Sequence, residues 1–479
     1  MTESSLLAPA GPDLTAPDPA AALAGLLASV GLPATATRRV HLTGADPVLP
    51  SSFAVGTASQ VVVAAAALAA TELGTLRGQS PQAVSVDMRH AAAECIGWFT
   101  VDGQATEAWD PFSGIYRTAD GAVRIHANFA HHRDGALKLL GLDPSTSRRS
   151  DAESALRSWR SLDFETAAAQ AGLVTTALRS FDVWDATPQG LALAAQPLLT
   201  IARIGDAAPL PLPPLAADAR PLSGVRVLEF TRILAGPVGG RTLAAHGADV
   251  LLLNAPHLPN ISAIADTSRG KRSAHLDLRE PSARAALAGL LRDAHVFVQG
   301  YRPGALTGLG YGPQQVAAAR PGIVYVSLSA YGHQGPWASR RGFDSLVQTA
   351  MGFNVAEREA AGDGKLRPLP MQMLDEATGY LIAAATAAVL RRQQLEGGSW
   401  HVQLSLAQTG RWLRGLGRVA DGFRPSLHPF GRDDMLPWVE TVASGFGRLE
   451  VLRHSAVLER TPAGWDRLAM PPGSHPAAW

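Results

Sequence analysis

The chain has 479 residues, of which 46% are hydrophobic and 17% are charged, and its formal net charge at pH 7 is +1. This composition can bury a large core, which excludes a disordered chain, and the balanced charge excludes a basic field for nucleic acid or a membrane surface. The single cysteine, Cys95, excludes a disulfide framework or a cysteine metal cage within one chain. The N-terminus lacks the pattern of a secretory signal, and the aliphatic runs at 61–70 and 381–390 are too short to span a bilayer. We therefore expect a soluble, cytoplasmic protein.

Composition divides the chain into four parts. Residues 1–20 are rich in proline, alanine and aspartate, which predicts a disordered N-terminus. From 21 to 204 the pattern is mostly helical, with one alternating stretch at 115–127 that predicts a β-hairpin. Prolines stiffen 205–220 into an extended linker, and we expect a domain boundary there and a second domain over 221–479.

The second domain alternates between apolar runs and helical patterns. The runs at 225–230 and 249–254 are typical of buried strands, and a glycine-rich segment lies between them. Helical patterns at 281–293 and at about 313–319 each lead into a further apolar run. Strands that alternate with helices at this spacing predict an α/β fold with a doubly wound, mostly parallel, Rossmann-like sheet.

An internal repeat relates the two halves of the chain. Residues 58–88 and 377–406 each contain an alanine-rich helix, a glycine-containing turn and a short alternating strand. Aligning the two copies puts Gly56 opposite Asp375. The first copy therefore has no carboxylate where the second copy has one.

The glycine-rich segment invites comparison with a dinucleotide site. Gly236, Gly239 and Gly240 follow a strand and open a helix, but their spacing differs from G-x-G-x-x-G. The second strand ends in Asn254, where an acid that binds ribose is expected. We interpret the loop as tight packing between strand and helix.

The segment 268–280 places four cations between two predicted strand–helix units. One interpretation is a solvated loop, and the other is a clamp whose guanidinium groups bind the phosphates of a 3′-phospho-ADP moiety. The segment alone leaves both open. Its cations are Arg269, Lys271, Arg272 and Arg279.

Asp375 stands just before a long apolar helix, which we expect over 376–393. Position alone favours an N-cap. The alternative is a carboxylate that the helix dipole and free N–H groups hold anionic, and such a group can attack a carbonyl to form an acyl-enzyme. His131 and His132 lack further ligands at metal spacing, so core or surface roles are expected and no metal site is predicted.

Seven segments follow one another in a recognisable order: PLSGVRVLEFTRILAGP (221–237), HGADVLLLN (246–254), SRGKRSAHLDL (268–278), VQGYRPGALTGLG (298–310), PGIVYVSLSAYGHQGPW (321–337), RGFDSLVQ (341–348) and MLDEATG (373–379). Together they resemble the family III CoA-transferases, which include formyl-CoA transferase and carnitine CoA-transferase. The resemblance implies the fold of that family, with a smaller α+β domain beside the Rossmann-like sheet.

The resemblance also implies the residues of a site. Asp375 falls where the family carries its catalytic aspartate. Coenzyme A or an acyl-CoA is implied as a substrate, with a carboxylic acid as the second substrate and no permanently bound cofactor. The implied CoA contacts are Ile233, Leu234, Leu276, Arg279, Tyr301, Arg302, Leu309 and Arg341.

The order of parts departs from the family. The segment that resembles the family's small domain, 111–200, lies N-terminal to the nucleotide fold and follows the copy that lacks the aspartate. We interpret 21–204 as a degenerate partial copy fused to a second partial copy. A homodimer, possibly interlocked, is expected, and the site could be completed within one chain or across the dimer.

The resemblance implies a CoA-transferase that works through an aspartyl anhydride and an aspartyl-CoA thioester, with N–H groups at the start of the Asp375 helix stabilising the oxyanion. Two alternatives stay open. An acyl-CoA racemase is disfavoured because Phe343 stands where racemases carry a histidine in a Gly-His-Asp segment. A CoA-binding subunit without catalysis is the other. The sequence does not identify the acyl donor or the acceptor.

Overall fold

The computed structural model describes residues 18–106 and 109–479. In the first half of the chain, short helices and strands surround one long apolar helix. The helices are α1 (Pro19–Ser29), α2 (Val55–Leu76), α3 (Met88–Ile96), α4 (Ala130–Leu139), α5 (Arg149–Leu156), α6 (Ser161–Gln170), α7 (Phe181–Asp185) and α8 (Pro188–Ala194). The strands are β1 (Val40–Thr43), β2 (Val84–Asp87), β3 (Phe99–Val101), β4 (Gln104–Ala105), β5 (Gly114–Arg117), β6 (Ala122–Ile125), β7 (Thr175–Ala177) and β8 (Thr200–Gly205).

The second half alternates strands with helices before it ends in three short strands. Its strands are β9 (Arg226–Phe230), β10 (Asp249–Asn254), β11 (Arg272–His275), β12 (Val296–Gln299), β13 (Val324–Ser329), β14 (Ser399–Ser405), β15 (Val439–Ser444), β16 (Gly447–Leu452) and β17 (Ala456–Leu458). Its helices are α9 (Ala235–Ala245), α10 (Ile264–Thr267), α11 (Pro281–Asp293), α12 (Pro313–Ala319), α13 (Asp344–Met351), α14 (Phe353–Ala361), α15 (Met373–Glu396), α16 (Leu406–Gly415) and α17 (Arg432–Met435).

The main sheet of the described residues has seven strands in the order β11-β10-β9-β12-β13-β14-β8. All neighbouring strands run parallel except β14 and β8, and β8 belongs to the first half of the chain. The order reverses between β9 and β12, so the loops after these two strands diverge and leave a crevice at the carboxyl edge. The predicted doubly wound, mostly parallel sheet is confirmed. Helices α11 and α12 match the predicted ranges, and each begins with a proline at its first turn.

Two smaller sheets contain strands from both halves of the chain. One has the order β1-β2-β17 and the other β15-β16-β3-β4. A third sheet, β5-β6-β7, packs with α4, α5 and α6 and includes the predicted hairpin, since β5 and β6 pair antiparallel. The two halves of the chain are therefore interleaved rather than joined end to end.

The N-terminal prediction of disorder over 1–20 falls mostly on residues 1–17, which lie outside the described residues. It is wrong for the last two residues, because α1 begins at Pro19. The Asp18 side chain accepts a hydrogen bond from the Ala20 N–H at 2.9 Å and caps the helix. Leucines on one face of α1 are then buried in the core, which stabilises a helix that composition alone does not predict.

Helices α2 and α15 pack against each other at the centre of the protein. Each is followed by a strand and a helix, β2–α3 and β14–α16, which confirms the order of the predicted repeat. Both helices are long and apolar enough by composition to cross a membrane, so the expectation from the aliphatic runs was wrong on length. Most of their apolar stretch is buried in the protein, 83% for α2 and all of it for α15.

Helices α9 and α15 make a close contact at the second turn of α15. A Cβ at Gly379 would lie 2.7 Å from the Ala235 carbonyl oxygen, and one at Gly239 would lie 3.0 Å from the Gly379 oxygen. We expect Gly379→Ala to lower the free energy of unfolding by about 1–3 kcal/mol, because the added methyl group meets rigid backbone. Urea denaturation measures this change.

Gly415→Ala is the matched control, because nothing lies within 4 Å of a Cβ at that helical position. This substitution is expected to leave stability unchanged or to raise it by less than about 1 kcal/mol. Equal denaturation midpoints for the two variants would contradict the tight α9–α15 contact.

Candidate functional site

Asp375 lies in the first turn of α15 and is not its N-cap, because the helix begins at Met373 rather than at 376. The capping position belongs to Gln372, which makes no capping hydrogen bond through its side chain. The N-cap interpretation of Asp375 is therefore wrong. Its carboxyl group is instead available for contacts outside the helix.

Another aspartate binds the start of α15. Asp344 Oδ2 accepts hydrogen bonds from the Leu374 N–H at 2.7 Å and the Asp375 N–H at 2.9 Å. The Gln348 side chain donates to Asp344 Oδ1 at 2.5 Å, and the Glu376 N–H donates to the Gln372 carbonyl. The N–H groups predicted to stabilise an oxyanion are thus already occupied, and that prediction is wrong for this helix.

Three carboxyl groups meet at this end of α15, and one of them faces open space. Asp375 is 9% exposed, whereas Asp344 is 0% and Glu376 is 1% exposed. Burial and the charges of Asp344 and Glu376 raise the pKa of Asp375 well above its ordinary value. Burial also raises the pKa of Asp344, to about 6.

The raised pKa of Asp375 contradicts the expectation that the helix N-terminus holds its carboxyl group anionic. Asp344 accepts three hydrogen bonds, which favour its ionised form. The pair then keeps its proton on Asp375, because two adjacent buried carboxylates repel each other.

The loop between β9 and α9 supplies the hydrogen-bond donor for the Asp375 carboxyl. The Ala235 N–H bonds to this carboxyl and lowers its pKa, against the larger effect of burial. Ala235 is the first residue of α9, and Ile233 just before it adopts a left-handed φ of 76°. A non-glycine residue in this conformation stores strain, which functional sites often retain. The positive end of α9 therefore points at Asp375.

A cavity of about 650 Å³ opens beside Asp375 at the carboxyl edge of the main sheet. The loops after β9, β11 and β12 line it, as expected for ligand sites in open parallel sheets. All nine residues predicted for the site line this one cavity: Asp375, Ile233, Leu234, Leu276, Arg279, Tyr301, Arg302, Leu309 and Arg341. The Tyr301 hydroxyl is held by the Asn254 side chain at 3.2 Å.

The first half of the chain forms the opposite wall, which sequence reasoning missed. Phe129, His131, His132 and Val174 line the cavity together with Asp375. The Phe129 ring lies 6.0 Å from the ring of Phe343. His131 and His132 were predicted to have core or surface roles rather than to line this cavity, and no motif marks Phe129 or Val174. One chain thus encloses the cavity with both of its halves, while the expected homodimer stays a prediction.

Most of the basic segment lies away from the cavity. Lys271 and Glu229 form an ion pair at 2.8 Å, with both side chains 0% exposed. Arg269 pairs with Asp266, and Arg272 pairs with Asp249. The clamp interpretation is wrong for these three cations, which bind carboxylates of the protein. Of the four cations, Arg279 lines the cavity.

The first copy of the repeat keeps the capping aspartate but has no room for a nucleophile. Asp46 accepts hydrogen bonds from the N–H groups of Gly56 and Thr57 at 3.1 and 2.7 Å, as Asp344 does at α15. A Cβ at Gly56 would lie 2.6 Å from Val48 Cγ2. Within the described residues no group of three or more His, Cys, Asp or Glu side chains is placed to hold a metal ion.

The chain is an α/β protein whose doubly wound sheet carries a buried carboxyl pair beside a cavity of about 650 Å³ at its carboxyl edge. Residues 222–416 match the sequence model of CoA-transferase family III, and this part of the chain belongs to that family. The resemblance seen in the sequence is thereby confirmed.

The relatives share about half of their length with this chain. It is 32% identical over 314 residues to an acyl-CoA transferase of Gibberella moniliformis, which covers 61% of this chain and 55% of that protein. It is 31% identical over 205 residues to a succinate–glutarate CoA-transferase of Agrobacterium fabrum, covering 39% of this chain and 51% of that protein. A crystal structure of Rv3272 from M. tuberculosis is 33% identical, covering 41% of this chain and 56% of that one, with a TM-score of 0.38.

Proposed function

We propose that this protein transfers coenzyme A from an acyl-CoA thioester to a carboxylic acid, with Asp375 as the covalent nucleophile. One observation carries the proposal. Of the three clustered carboxyl groups, Asp375 lines the cavity, and the same cavity is lined by every residue implied to contact CoA. Family membership of 222–416 and relatives named as CoA-transferases support it.

The proposed reaction begins when Asp375 attacks the carbonyl carbon of the donor thioester. The C–S bond breaks, CoA leaves as a thiolate, and a mixed anhydride forms on Asp375. The thiolate then attacks the aspartyl carbonyl carbon, which releases the donor carboxylate and forms an aspartyl-CoA thioester. Asp375 attacks as a carboxylate, so the proton that its raised pKa favours must leave to solvent before the first attack.

The second half of the reaction repeats these steps in reverse order with the acceptor acid. The acceptor carboxylate attacks the aspartyl-CoA thioester and expels the thiolate, which leaves a new anhydride. The thiolate attacks the acceptor carbonyl carbon, so the new acyl-CoA forms and Asp375 returns as a carboxylate. The Ala235 N–H, which bonds to the Asp375 carboxyl group, is placed to stabilise the oxyanion that forms when the thiolate attacks the aspartyl carbonyl carbon.

Racemisation of an acyl-CoA would need a second acid–base group opposite Asp375. Phe343 carries no exchangeable proton, and its ring stacks on His126 with 4.0 Å between the centroids. His132 does line the cavity, but burial, then His131 and the nearby arginines, lower its pKa to about 3. Such a weak base is poorly suited to removing an α-proton at neutral pH, which favours transfer.

Mass spectrometry of CoA exchange tests the proposal. The protein is incubated with a panel of acyl-CoA donors and carboxylic acids, and a new acyl-CoA is expected for at least one pair. Hydroxylamine added with a donor should form a hydroxamate on the peptide that contains Asp375, because the acyl-enzyme is an activated carbonyl. If no pair exchanges CoA and no hydroxamate forms, the proposal fails. Deuterium incorporation at the α-carbon without exchange would favour the racemase.

A further inference from the structure

A second cavity, of about 580 Å³, shares no lining residue with the cavity beside Asp375. Its walls are formed by β15, β17, the segment 462–469 and His90 of α3. A volume of this size lies within the roughly 300–1,000 Å³ that is usual for small-molecule sites. The two halves of the chain therefore build this cavity together, as they build the first one.

Charged groups line this second cavity, and most of them are paired within the protein. Its described lining residues include three arginines and one acid, Glu440. Arg269 is 3% exposed, forms an ion pair with Asp266, and has its Nη1 atom 3.6 Å from Glu440 Oε1. Arg467 pairs with Asp249 at 3.3 Å. The third arginine therefore decides whether the cavity offers a free charge.

Arg453 is that third arginine, and among residues 18–106 and 109–479 no acid forms an ion pair with it. Its Nη2 atom donates to the Pro437 carbonyl oxygen at 2.6 Å, and its backbone N–H donates to the Trp438 carbonyl oxygen at 2.9 Å. The His90 ring stacks on the Trp438 indole at 4.9 Å, and His90 Nε2 lies 3.1 Å from the Arg453 carbonyl oxygen. A guanidinium has five N–H donors, so this fixed cation keeps donors for an anion.

Large apolar side chains are exposed at the same cavity. Val457 is 59% exposed and Leu468 is 52% exposed, and both are lining residues. Single exposed apolar residues are normal on a protein surface, but a ligand with an apolar body would remove both of these from water at once. Burial lowers the pKa of His90 and of His454, so these lining histidines are neutral at pH 7 and leave Arg453 as the unpaired charge.

We propose that this second cavity binds an amphipathic organic anion, whose anionic group pairs with Arg453 and whose apolar body lies against Trp438, Val457 and Leu468. The site is separate from the one proposed for CoA transfer and does not depend on it. The anionic group is a carboxylate or a phosphate, because both can bind a guanidinium through two oxygens. A neutral ligand with the same apolar body would leave the guanidinium without a partner.

Calorimetric titration with octanoate, octyl phosphate and 1-octanol tests the proposal and distinguishes the two anionic groups. At least one of the two anions should bind, and it should bind 10-fold or more tightly than the alcohol of equal chain length. Arg453→Gln should weaken binding of that anion about 10-fold, as expected when a charge-assisted hydrogen bond is lost. The same substitution should leave the weaker binding of octanol unchanged.

An octanoate analogue that carries a diazirine on its chain locates the bound molecule. After irradiation, peptide mass spectrometry should find the label on peptides that contain 438–443 or 456–468, and Arg453→Gln should reduce this label. Arg448→Gln is the matched control, because Arg448 is exposed on β16 and does not line the cavity.

Three results would overturn the proposal. The first is a label confined to peptides of the cavity beside Asp375. The second is binding of octanol as tight as that of the anions, or no binding of either anion. The third is an equal loss of anion binding in Arg448→Gln and Arg453→Gln, which would show that surface charge in general attracts the anion.

Discussion

Replacing Asp375 with asparagine is expected to lower the rate of CoA transfer by about three orders of magnitude or more, because an amide cannot carry the acyl group as an anhydride. CoA binding should remain measurable, since the residues implied for CoA lie in other loops of the cavity. Initial rates by mass spectrometry and calorimetric titration with CoA separate the two effects. Near-normal turnover would contradict the assignment of the nucleophile.

The same substitution is expected to stabilise the fold at neutral pH. The pKa of Asp375 is raised in the folded protein above its ordinary value of 3.8. Above pH 3.8 the carboxyl group is ionised in the unfolded chain, whereas the folded protein favours its protonated form. This difference lowers the free energy of unfolding above pH 3.8, and the loss disappears at lower pH, where both states are protonated. Asparagine has no such cost. Thermal unfolding of Asp375→Asn should therefore show a gain at pH 7 that fades in acid.

Asp363→Asn is the reference for both measurements. Asp363 is a partly exposed carboxylate paired with Arg367, and that pair lowers its pKa. Its replacement should leave turnover unchanged and should not raise stability at pH 7. If both variants gain stability, the gain results from removing any negative charge and is not specific to the buried carboxyl pair.

Asp344→Asn is the second substitution with a large expected effect. It removes the negative charge that raises the pKa of Asp375 but keeps an acceptor for the N–H groups of Leu374 and Asp375. Asp375 should then ionise at a lower pH, so the acidic limb of the profile of kcat/KM against pH should move to lower pH. Asp344→Ala also leaves both N–H groups without an acceptor and should lower the free energy of unfolding by about 1–3 kcal/mol per group.

Asp46→Asn provides a control with the same local chemistry. Asp46 caps α2 through the N–H groups of Gly56 and Thr57, but no carboxyl group stands at Gly56. Its replacement is expected to change stability without moving the pH profile. If the acidic limb of the Asp344→Asn profile stays in place or moves to higher pH, the coupling between Asp344 and Asp375 is contradicted.

Local pattern was enough to predict several elements of the second half. The apolar runs became β9 and β10, and the prolines at 281 and 313 each open a helix. The predicted site residues also came together, because parallel strands bring their carboxyl ends to one edge of the sheet. Contiguous motifs thus carried both the fold class and one wall of the cavity.

Two of the errors concern groups whose partners are distant in sequence. Lys271 pairs with Glu229, 42 residues earlier, and Asp375 depends on Asp344, 31 residues earlier. A charged residue in a linear motif has the same pattern whether it faces solvent, a substrate or a buried acid. Burial decides among these outcomes, because the cost of removing a charge from water must be offset by a specific partner.

The sequence by itself determined the sheet, its family and the aspartate at the head of α15, since periodicity and short motifs are local properties of the chain. Tertiary structure alone decided that Asp344 holds the start of that helix, that the pair raises the pKa of Asp375, and that the first half encloses the cavity. These features depend on distance and on exclusion of water between segments far apart along the chain, and no local pattern encodes either quantity.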